Sequence, residues 1–181
     1  MTILMTERLR LEPFSEAHLA ALNTLGSDIE VMRYLGGRTQ TLDDTRAAIE
    51  RVKARWAEWG YSWWAFLEHD SGELVGAGCI QHLGGDKANP LEIGWRLKRD
   101  RWGRGLASEA ARTMAGFAFE TLHAPLLRAV CHLDNAASAQ VMKRLGMRYS
   151  GIERWNDMDC LAYEISAQEW QARQARQVSG P

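Results

Sequence analysis

The stretch that decides the fold is LEIGWRLKRDRWGRGLASEAARTM, residues 91–114. Its first part alternates between apolar side chains and polar or small ones, which predicts a strand whose second face carries Glu92 and Arg96. A basic loop with two glycines, Gly103 and Gly105, comes next, and apolar residues then recur at helical spacing. The stretch therefore predicts a strand, a glycine-bearing loop and a helix in immediate succession.

A loop of small residues that leads into a helix favours the binding of phosphate. The first N–H groups of a helix have no partner within it, and the helix dipole attracts negative charge to the same place. Gly103, Gly105 and Ala107 keep side chains out of this space, while Arg101 and Arg104 add positive charge. No Gly-Lys-Ser/Thr follows, and the third glycine of the dinucleotide fingerprint is absent. The alternative is an ordinary strand-to-helix turn with solvated arginines.

The rest of the chain continues the mixture of strands and helices without a repeat or a linker. Alternating runs bounded by turn residues predict further strands at RLRLEPF, WWAFLEHD, LVGAGCIQHL, LLRAVCHL, MRYSGIERW and CLAYEIS. Other helices are predicted to begin at the capping residues Ser15, Thr41, Asp134 or Asn135, and Ser166. We predict one mixed α/β domain over residues 1–172, followed by a polar tail over residues 173–181.

The composition limits the partners and the cellular location that we expect for the protein. The formal net charge of −1 argues against a general attraction to nucleic acid or to an anionic membrane. Cys79, Cys131 and Cys160 lack the spacing of metal ligands, so we expect no metal and a reducing, cytoplasmic location. The longest apolar run, LVGAGCI, is too short to cross a bilayer, and the N-terminus has no leader signature.

Three motifs in order resemble the GNAT acetyltransferases. EIGWRL precedes RWGRGLASEA, and LDNAASAQVMKRLGM follows further along the chain. Within the family they are most similar to the branch that includes the ribosomal-protein N-terminal acetyltransferases, and the resemblance extends from TERLRLEPFSEAHL to YEISAQEW. It implies a single GNAT-like domain with a mostly antiparallel mixed sheet of about six or seven strands, helices on both faces and a splayed parallel strand pair. It also implies acetyl-CoA as the co-substrate.

The resemblance places the pyrophosphate of acetyl-CoA on the glycine loop. Gly105 and Ala107 match the family signature Gln/Arg-x-x-Gly-x-Gly/Ala, whereas Trp102 stands where glutamine or arginine is usual. The residues implied to bind the cofactor are Leu97, Trp102, Gly103, Arg104, Gly105, Leu106, Ala107, Ser108, Asn135 and Ser138. Met142 occupies the position of the tyrosine acid of many members, so that Ser138 or water is left to protonate the thiolate.

Acetyl transfer to nitrogen also requires removal of the amine proton. Glu92 matches a position where family members often keep a carboxylate that works through water, and His82, at the end of the preceding hairpin, is the second candidate. Each is alternatively an ordinary strand or surface residue. The sequence therefore leaves the base open among Glu92, His82 and water alone.

Four tryptophans lie in the segment where this family builds its acceptor pocket: Trp56, Trp59, Trp63 and Trp64. Such a stripe also suits a core. Because Trp63 and Trp64 are adjacent on a predicted strand, they face opposite sides, and one of them is expected to be less deeply packed.

The predicted function is transfer of acetyl from acetyl-CoA to a primary amine by direct attack in a ternary complex. A peptide α-amine of pKa about 7.8 is roughly a tenth neutral at pH 7, whereas a lysine near 10.4 is neutral to only a few parts in ten thousand. Since no residue stands out as a strong general base, the α-amine of a protein or peptide N-terminus is the favoured acceptor. The alternatives are a small-molecule amine, such as a polyamine, antibiotic or metabolite, and a non-catalytic CoA-binding module. A homodimer is compatible with the sequence, and no membrane or nucleic-acid partner is expected.

Overall fold

The computed structural model describes residues 1–178, which form a single mixed sheet covered by helices. The strands are β1 (Leu4–Met5), β2 (Leu9–Pro13), β3 (Trp63–Glu68), β4 (Leu74–His82), β5 (Leu91–Leu97), β6 (Leu126–His132), β7 (Arg148–Trp155) and β8 (Met158–Ser166). The α-helices are α1 (Leu19–Ser27), α2 (Ile29–Met32), α3 (Leu42–Trp59), α4 (Leu106–Gly116), α5 (Ala136–Leu145) and α6 (Ala167–Val178). Short 3-10 turns cover Glu16–His18, Leu83–Gly85 and Arg99–Arg101, and a π-helical turn, Phe117–Thr121, extends α4.

The strands follow the order β1-β2-β3-β4-β5-β6-β8-β7, and only β5 and β6 run parallel. The predicted single α/β domain is confirmed, but the sheet has eight strands rather than six or seven. The strand that the sequence did not reveal is β1, in which Leu4 pairs with Leu11 and Met5 with Arg10. A two-residue strand is too short to show an alternating pattern.

The parallel pair β5 and β6 separates soon after it begins. The two strands pair at Leu91 with Leu127 and at Glu92 with Arg128, and the pairing does not continue toward Leu97. The remainder of β5 therefore has an open backbone edge. This confirms the predicted splayed pair.

The core lies on both faces of the central strands. All residues of β4 from Leu74 to Ile80 are buried, as expected for a strand covered on each side. Gly78 allows α4 to approach, because a Cβ there would lie 2.8 Å from Cε of Met114 and 2.5 Å from the ring of Phe66. The two adjacent tryptophans differ as predicted, since Trp64 is fully buried and Trp63 is half-buried.

The last helix starts at the Ser166–Glu169 capping box, in which the two side chains and backbone N–H groups bond reciprocally. It continues to Val178, so that the first part of the predicted polar tail is helical. Arg173 ties this part to the domain by donating from Nη2 to the carbonyl of Arg144 at 2.9 Å. The end of the predicted tail, residues 179–181, lies outside the described residues, and the boundary at 172 stays a prediction. Among residues 1–178, no helix combines the length and apolar character needed to span a bilayer.

Candidate active site

Beyond Glu92, β5 has an unpaired edge on the side of β6, and the gap between these two strands is called the cleft below. The carbonyl oxygens of Gly94 and Arg96 lie against β4, so the alternate residues Trp95 and Leu97 direct their backbone groups toward the other edge. The indole N–H of Trp102 donates to the Leu97 carbonyl at 2.9 Å. Trp102 itself remains 49% exposed at the mouth of the loop. The cleft thus offers backbone hydrogen-bonding groups along β5.

The loop that follows β5 holds two glycines in the left-handed region and leads directly into α4. Gly103 and Gly105 adopt φ values of 73° and 80°, and Gly105 is the N-cap of α4. A Cβ at Gly103 would meet no atom within 4 Å, so the loop is open at this residue. Ser108, in the first turn of α4, has a buried Oγ without a hydrogen-bond partner among the described residues. An unsatisfied buried hydroxyl at a helix N-terminus is suited to an acceptor oxygen of a ligand.

The charges around this loop differ from expectation in one respect. Arg101 does not face the loop as a phosphate ligand, because it pairs with Glu68 at 3.2 Å and with Glu73 at 2.8 Å at the turn between β3 and β4. Arg104 is exposed, and its carbonyl accepts from Nη1 of Arg8 at 3.0 Å. A sequence reading of the loop alone could not reveal partners that lie so far away in the chain.

Arg8 is an unforeseen contributor at the same loop. One of its Nη atoms lies 3.5 Å from the Cβ position of Gly105, and its guanidinium pairs with Glu109 of α4 at 2.6 Å.

The predicted loop residues Leu106 and Ala107 differ in how deeply they are buried. The side chain of Leu106 is 2% exposed and belongs to the core, so only its backbone faces the loop, and Ala107 is half-buried.

The N-terminus of α5 lies beyond the end of β6. Asn135 caps this helix, with Oδ1 accepting from the backbone N–H of Ser138 at 3.1 Å. Ser138 is half-buried. Met142 is 2% exposed and packs in the core, so its position presents no acid to the cleft. Burial raises the pKa of the neighbouring Cys131 thiol to about 11, which keeps this thiol protonated.

Glu92 lies at the head of the splayed pair and is held by a polar network. Gln81, its partner across β4 and β5, donates from Nε2 to Oε1 of Glu92 at 2.7 Å. Arg55 of α3 and the indole of Trp63 both donate to the Gln81 oxygen, at 2.9 Å and 3.1 Å. Burial raises the pKa of Glu92, while the Gln81 hydrogen bond and the charge of Arg55 oppose the increase. Glu92, Arg55 and Gln81 line a pocket of about 200 Å³ that also reaches Val130 of β6.

His82 is in a different environment. Its Nε2 lies 3.1 Å from the Tyr61 hydroxyl and its Nδ1 lies 2.8 Å from the Asn89 carbonyl, so both ring nitrogens have partners. The ring also packs edge-on against Trp59 at 5.4 Å. The carbonyl partner requires a proton on Nδ1, which leaves Nε2 to accept from Tyr61. These contacts favour a structural role for His82.

No metal-binding cluster accompanies this site. Within the described part of the chain, no group of three or more His, Cys, Asp and Glu side chains is arranged to hold an ion.

The described residues thus combine a splayed parallel strand pair, a glycine loop at a helix N-terminus and a half-buried carboxylate. The chain matches the family of the acetyltransferase (GNAT) domain over residues 8–148. It therefore belongs to the GNAT acetyltransferases and is an enzyme of that type. Enzymes of this family use acetyl-CoA as co-substrate and act on an amine-bearing acceptor.

Relatives and solved structures are similar to this chain over most of its length. The uncharacterized protein YkkB of Bacillus subtilis (strain 168) is 32% identical over 165 residues, covering 86% of this chain and 91% of its own. An acetyltransferase from Agrobacterium tumefaciens str. C58 has 28% identity and a TM-score of 0.79, covering 91% of this chain and 94% of its own. RimL, a ribosomal L7/L12 alpha-N-protein acetyltransferase in complex with coenzyme A, has a TM-score of 0.76 at 19% identity. The similarity covers 91% of this chain and 98% of that structure's chain. The last similarity is one of fold.

Proposed function

We propose that this acetyltransferase moves the acetyl group of acetyl-CoA to a primary amine by direct attack in a ternary complex, with Glu92 as the general base. The observation that carries the proposal is the half-buried Glu92 carboxylate at the head of the splayed strands, oriented by Gln81. Burial raises its pKa above the ordinary value for a glutamate, which makes it a better proton acceptor near neutral pH.

The proposed cofactor site joins the glycine loop to the open edge of β5. The amides from Gly103 to Ser108 receive the pyrophosphate, helped by the Ser108 hydroxyl and the Arg104 charge. The backbone of Leu97 receives the pantetheine arm, and Trp102 closes the adjoining end of the cleft. The open φ > 0 glycines and the orphaned hydroxyl are the features of the described residues that fit such a ligand.

The proposed transfer requires two proton movements. Glu92 takes the proton from the attacking amine, either directly or through one water molecule. The backbone N–H of Leu97 stabilises the negative charge that develops on the carbonyl oxygen, a contribution of about 3 kcal/mol for one such donor. Ser138 or water protonates the departing thiolate, whose pKa of roughly 8.5 makes the assistance modest.

We favour a protein or peptide N-terminal α-amine as acceptor, within the branch that resembles the ribosomal-protein enzymes. One support is the lower pKa of an α-amine, which leaves a larger fraction of it neutral at pH 7 than of a lysine amine. The other is the absence of a tyrosine acid at position 142, where Met142 is buried. The pocket of about 200 Å³ beside Glu92 also suits a small-molecule amine, which is the second candidate. The burial of all three cysteines as unpaired thiols supports a cytoplasmic setting.

The test is release of coenzyme A thiol from acetyl-CoA in the presence of N-terminal peptides, polyamines and aminoglycosides. We expect peptide-dependent release well above the rate of acetyl-CoA hydrolysis. Release with a small amine alone would replace the acceptor assignment. No release with any amine, in a protein that binds acetyl-CoA by calorimetry, would favour a non-catalytic CoA-binding module.

A further inference from the structure

Arg96 is a charged side chain of β5 for which the described residues offer no acidic partner. It lies on the same face as Glu92, with the half-buried Gly94 between them. Within residues 1–178, no carboxylate forms an ion pair with it, and its Nε is buried without a hydrogen-bond partner. Its contacts are the Trp63 ring, 5.6 Å from the guanidinium carbon, and Sδ of Met32, 3.4 Å from Nη1. Neither contact neutralises a positive charge.

Two other arginines with little exposed surface are each paired with carboxylates. Arg101 is 15% exposed and pairs with Glu68 and Glu73, and Arg128 is 14% exposed and pairs with Glu153 and Glu164. A covered charge without a partner is costly, because the lost hydration is not replaced. Burial accordingly lowers the pKa of Arg96 to about 10, yet the group remains protonated at neutral pH. The described residues therefore leave the Arg96 charge unmatched, which a bound anion would remedy.

Arg96 is continuous with the network that holds Glu92. The Trp63 ring that stacks on Arg96 donates from Nε1 to Gln81, and Gln81 donates in turn to Glu92. Four residues along a strand separate the two charged groups by about 13 Å between Cα atoms. Gly94 has no side chain to divide this interval. One wall therefore presents a carboxylate at one end and a guanidinium at the other.

We propose that Arg96 binds an anionic oxygen group of the acceptor, a carboxylate or a phosphate, a few bonds away from the amine that is acetylated. This assignment rests on the proposed function and names its substrate class. The guanidinium is a charged donor that either anion can accept from, and the Trp63 and Met32 contacts hold it in place. An acceptor with opposite charges at its two ends is thereby oriented along β5. Polycationic amines are disfavoured, because they bring no anion to Arg96.

The experiment compares acceptors that differ only in the anion. In the carboxylate arm, γ-aminobutyrate is paired with its amide, and a peptide with aspartate at its second position is paired with the asparagine peptide. In the phosphate arm, phosphoethanolamine is paired with ethanolamine. Each pair is assayed for kcat/KM with the parent enzyme, with Arg96→Gln, with Arg96→Lys and with the control Arg51→Gln, an exposed site on α3.

We expect the parent and Arg51→Gln to prefer the anionic member of at least one arm. Arg96→Gln should lose about 10- to 100-fold in kcat/KM for that member, because a hydrogen bond to a charged group is lost. It should retain activity with the neutral member, and Arg96→Lys should lie between. The arm that responds identifies the anion as carboxylate or phosphate.

Three results would overturn the proposal: no preference for the anion in the parent, an equal loss with both members of a pair, or an increased KM for acetyl-CoA with every acceptor. The last would assign Arg96 to the cofactor. If no amine releases thiol, the proposed function fails separately. Calorimetric binding of the same pairs to the CoA-loaded parent and Arg96→Gln then decides the role of Arg96, and equal binding by both proteins contradicts it.

Discussion

The side-chain amide of Gln81 donates a hydrogen bond of 2.7 Å to the carboxylate of Glu92. The direction of this bond is fixed, because the Gln81 oxygen already accepts from Arg55 and Trp63. Gln81 therefore stabilises the charged form of Glu92 against the effect of burial, which favours the neutral form. The two influences together determine the pH at which Glu92 can accept a proton.

Removal of the Gln81 amide should shift the pH dependence of the reaction. Burial has already raised the pKa of Glu92, so activity increases as pH rises through that pKa. Gln81→Leu removes an interaction that lowers the pKa of Glu92, and we expect the rising limb of the pH profile to move to higher pH. Single-turnover rates across pH 5 to 9 measure the limb. Gln168→Leu, at an exposed site on α6, is the control, and an unmoved limb in Gln81→Leu contradicts the coupling.

The glycine loop should tolerate no acidic side chain at its centre. Gly105→Glu places a carboxylate at the N-terminus of α4, where the pyrophosphate is proposed to bind, and should abolish binding of acetyl-CoA. Backbone strain alone is separated by Gly60→Glu, since Gly60 also has a positive φ, 80°, and is an exposed residue at the end of α3. Calorimetry on the folded variants decides the matter. Unchanged CoA binding in Gly105→Glu would move the site elsewhere.

The hydroxyl of Ser138 is open to two interpretations that kinetics can separate. If it protonates the thiolate, Ser138→Ala should lower single-turnover rates by about tenfold to a hundredfold while acetyl-CoA affinity holds. If it only contacts the cofactor, affinity should fall by the equivalent of about 1 kcal/mol and the rate of the bound complex should persist. The helix cap is retained in either case, because Asn135 accepts from the backbone of Ser138. An enzyme with full activity and affinity assigns the proton transfer to water.

Loss of the Arg96 charge should stabilise the protein. Arg96→Met removes a covered cation without a described acidic partner and keeps an unbranched side chain against Trp63. We expect an increase of about 1 kcal/mol or more in the free energy of unfolding, about 2–4 °C in Tm for a chain of this size. Differential scanning calorimetry at pH 7 measures it. A clear fall in Tm would show that the guanidinium is satisfied within the fold.

Much of the fold follows from local patterns that the sequence displays. The period of a strand puts Glu92 and Arg96 on one face, and the capping residues Thr41, Asn135 and Ser166 mark helix starts within a residue or so. These features depend on neighbours close in the chain. They can therefore be predicted without knowledge of the tertiary structure.

The polar partners within the site depend on distant contacts. Gln81 faces Glu92 through the register of β4 and β5, and the intervening loop, residues 83–90, has no length or turn type that fixes this register. The pairing of Arg101 with Glu68 and Glu73, and the lack of such a pair for Arg96, likewise arise only when the sheet assembles. The alternating pattern of β5 predicts the face on which Arg96 lies. It does not predict that Arg96 lacks an acidic partner among the described residues.

The central claim is that Glu92 removes the proton from the acceptor amine, and Glu92→Gln tests it most directly. Single-turnover acetyl transfer should fall by about 10² to 10⁴ and lose its rising pH limb, while calorimetric affinity for acetyl-CoA stays at the parent value. Glu50→Gln, on the exposed side of α3, should behave as the parent does. Equal rates for Glu92→Gln and the parent across pH 6 to 9, with chemistry limiting, would contradict the account and return His82 or water to the role of base.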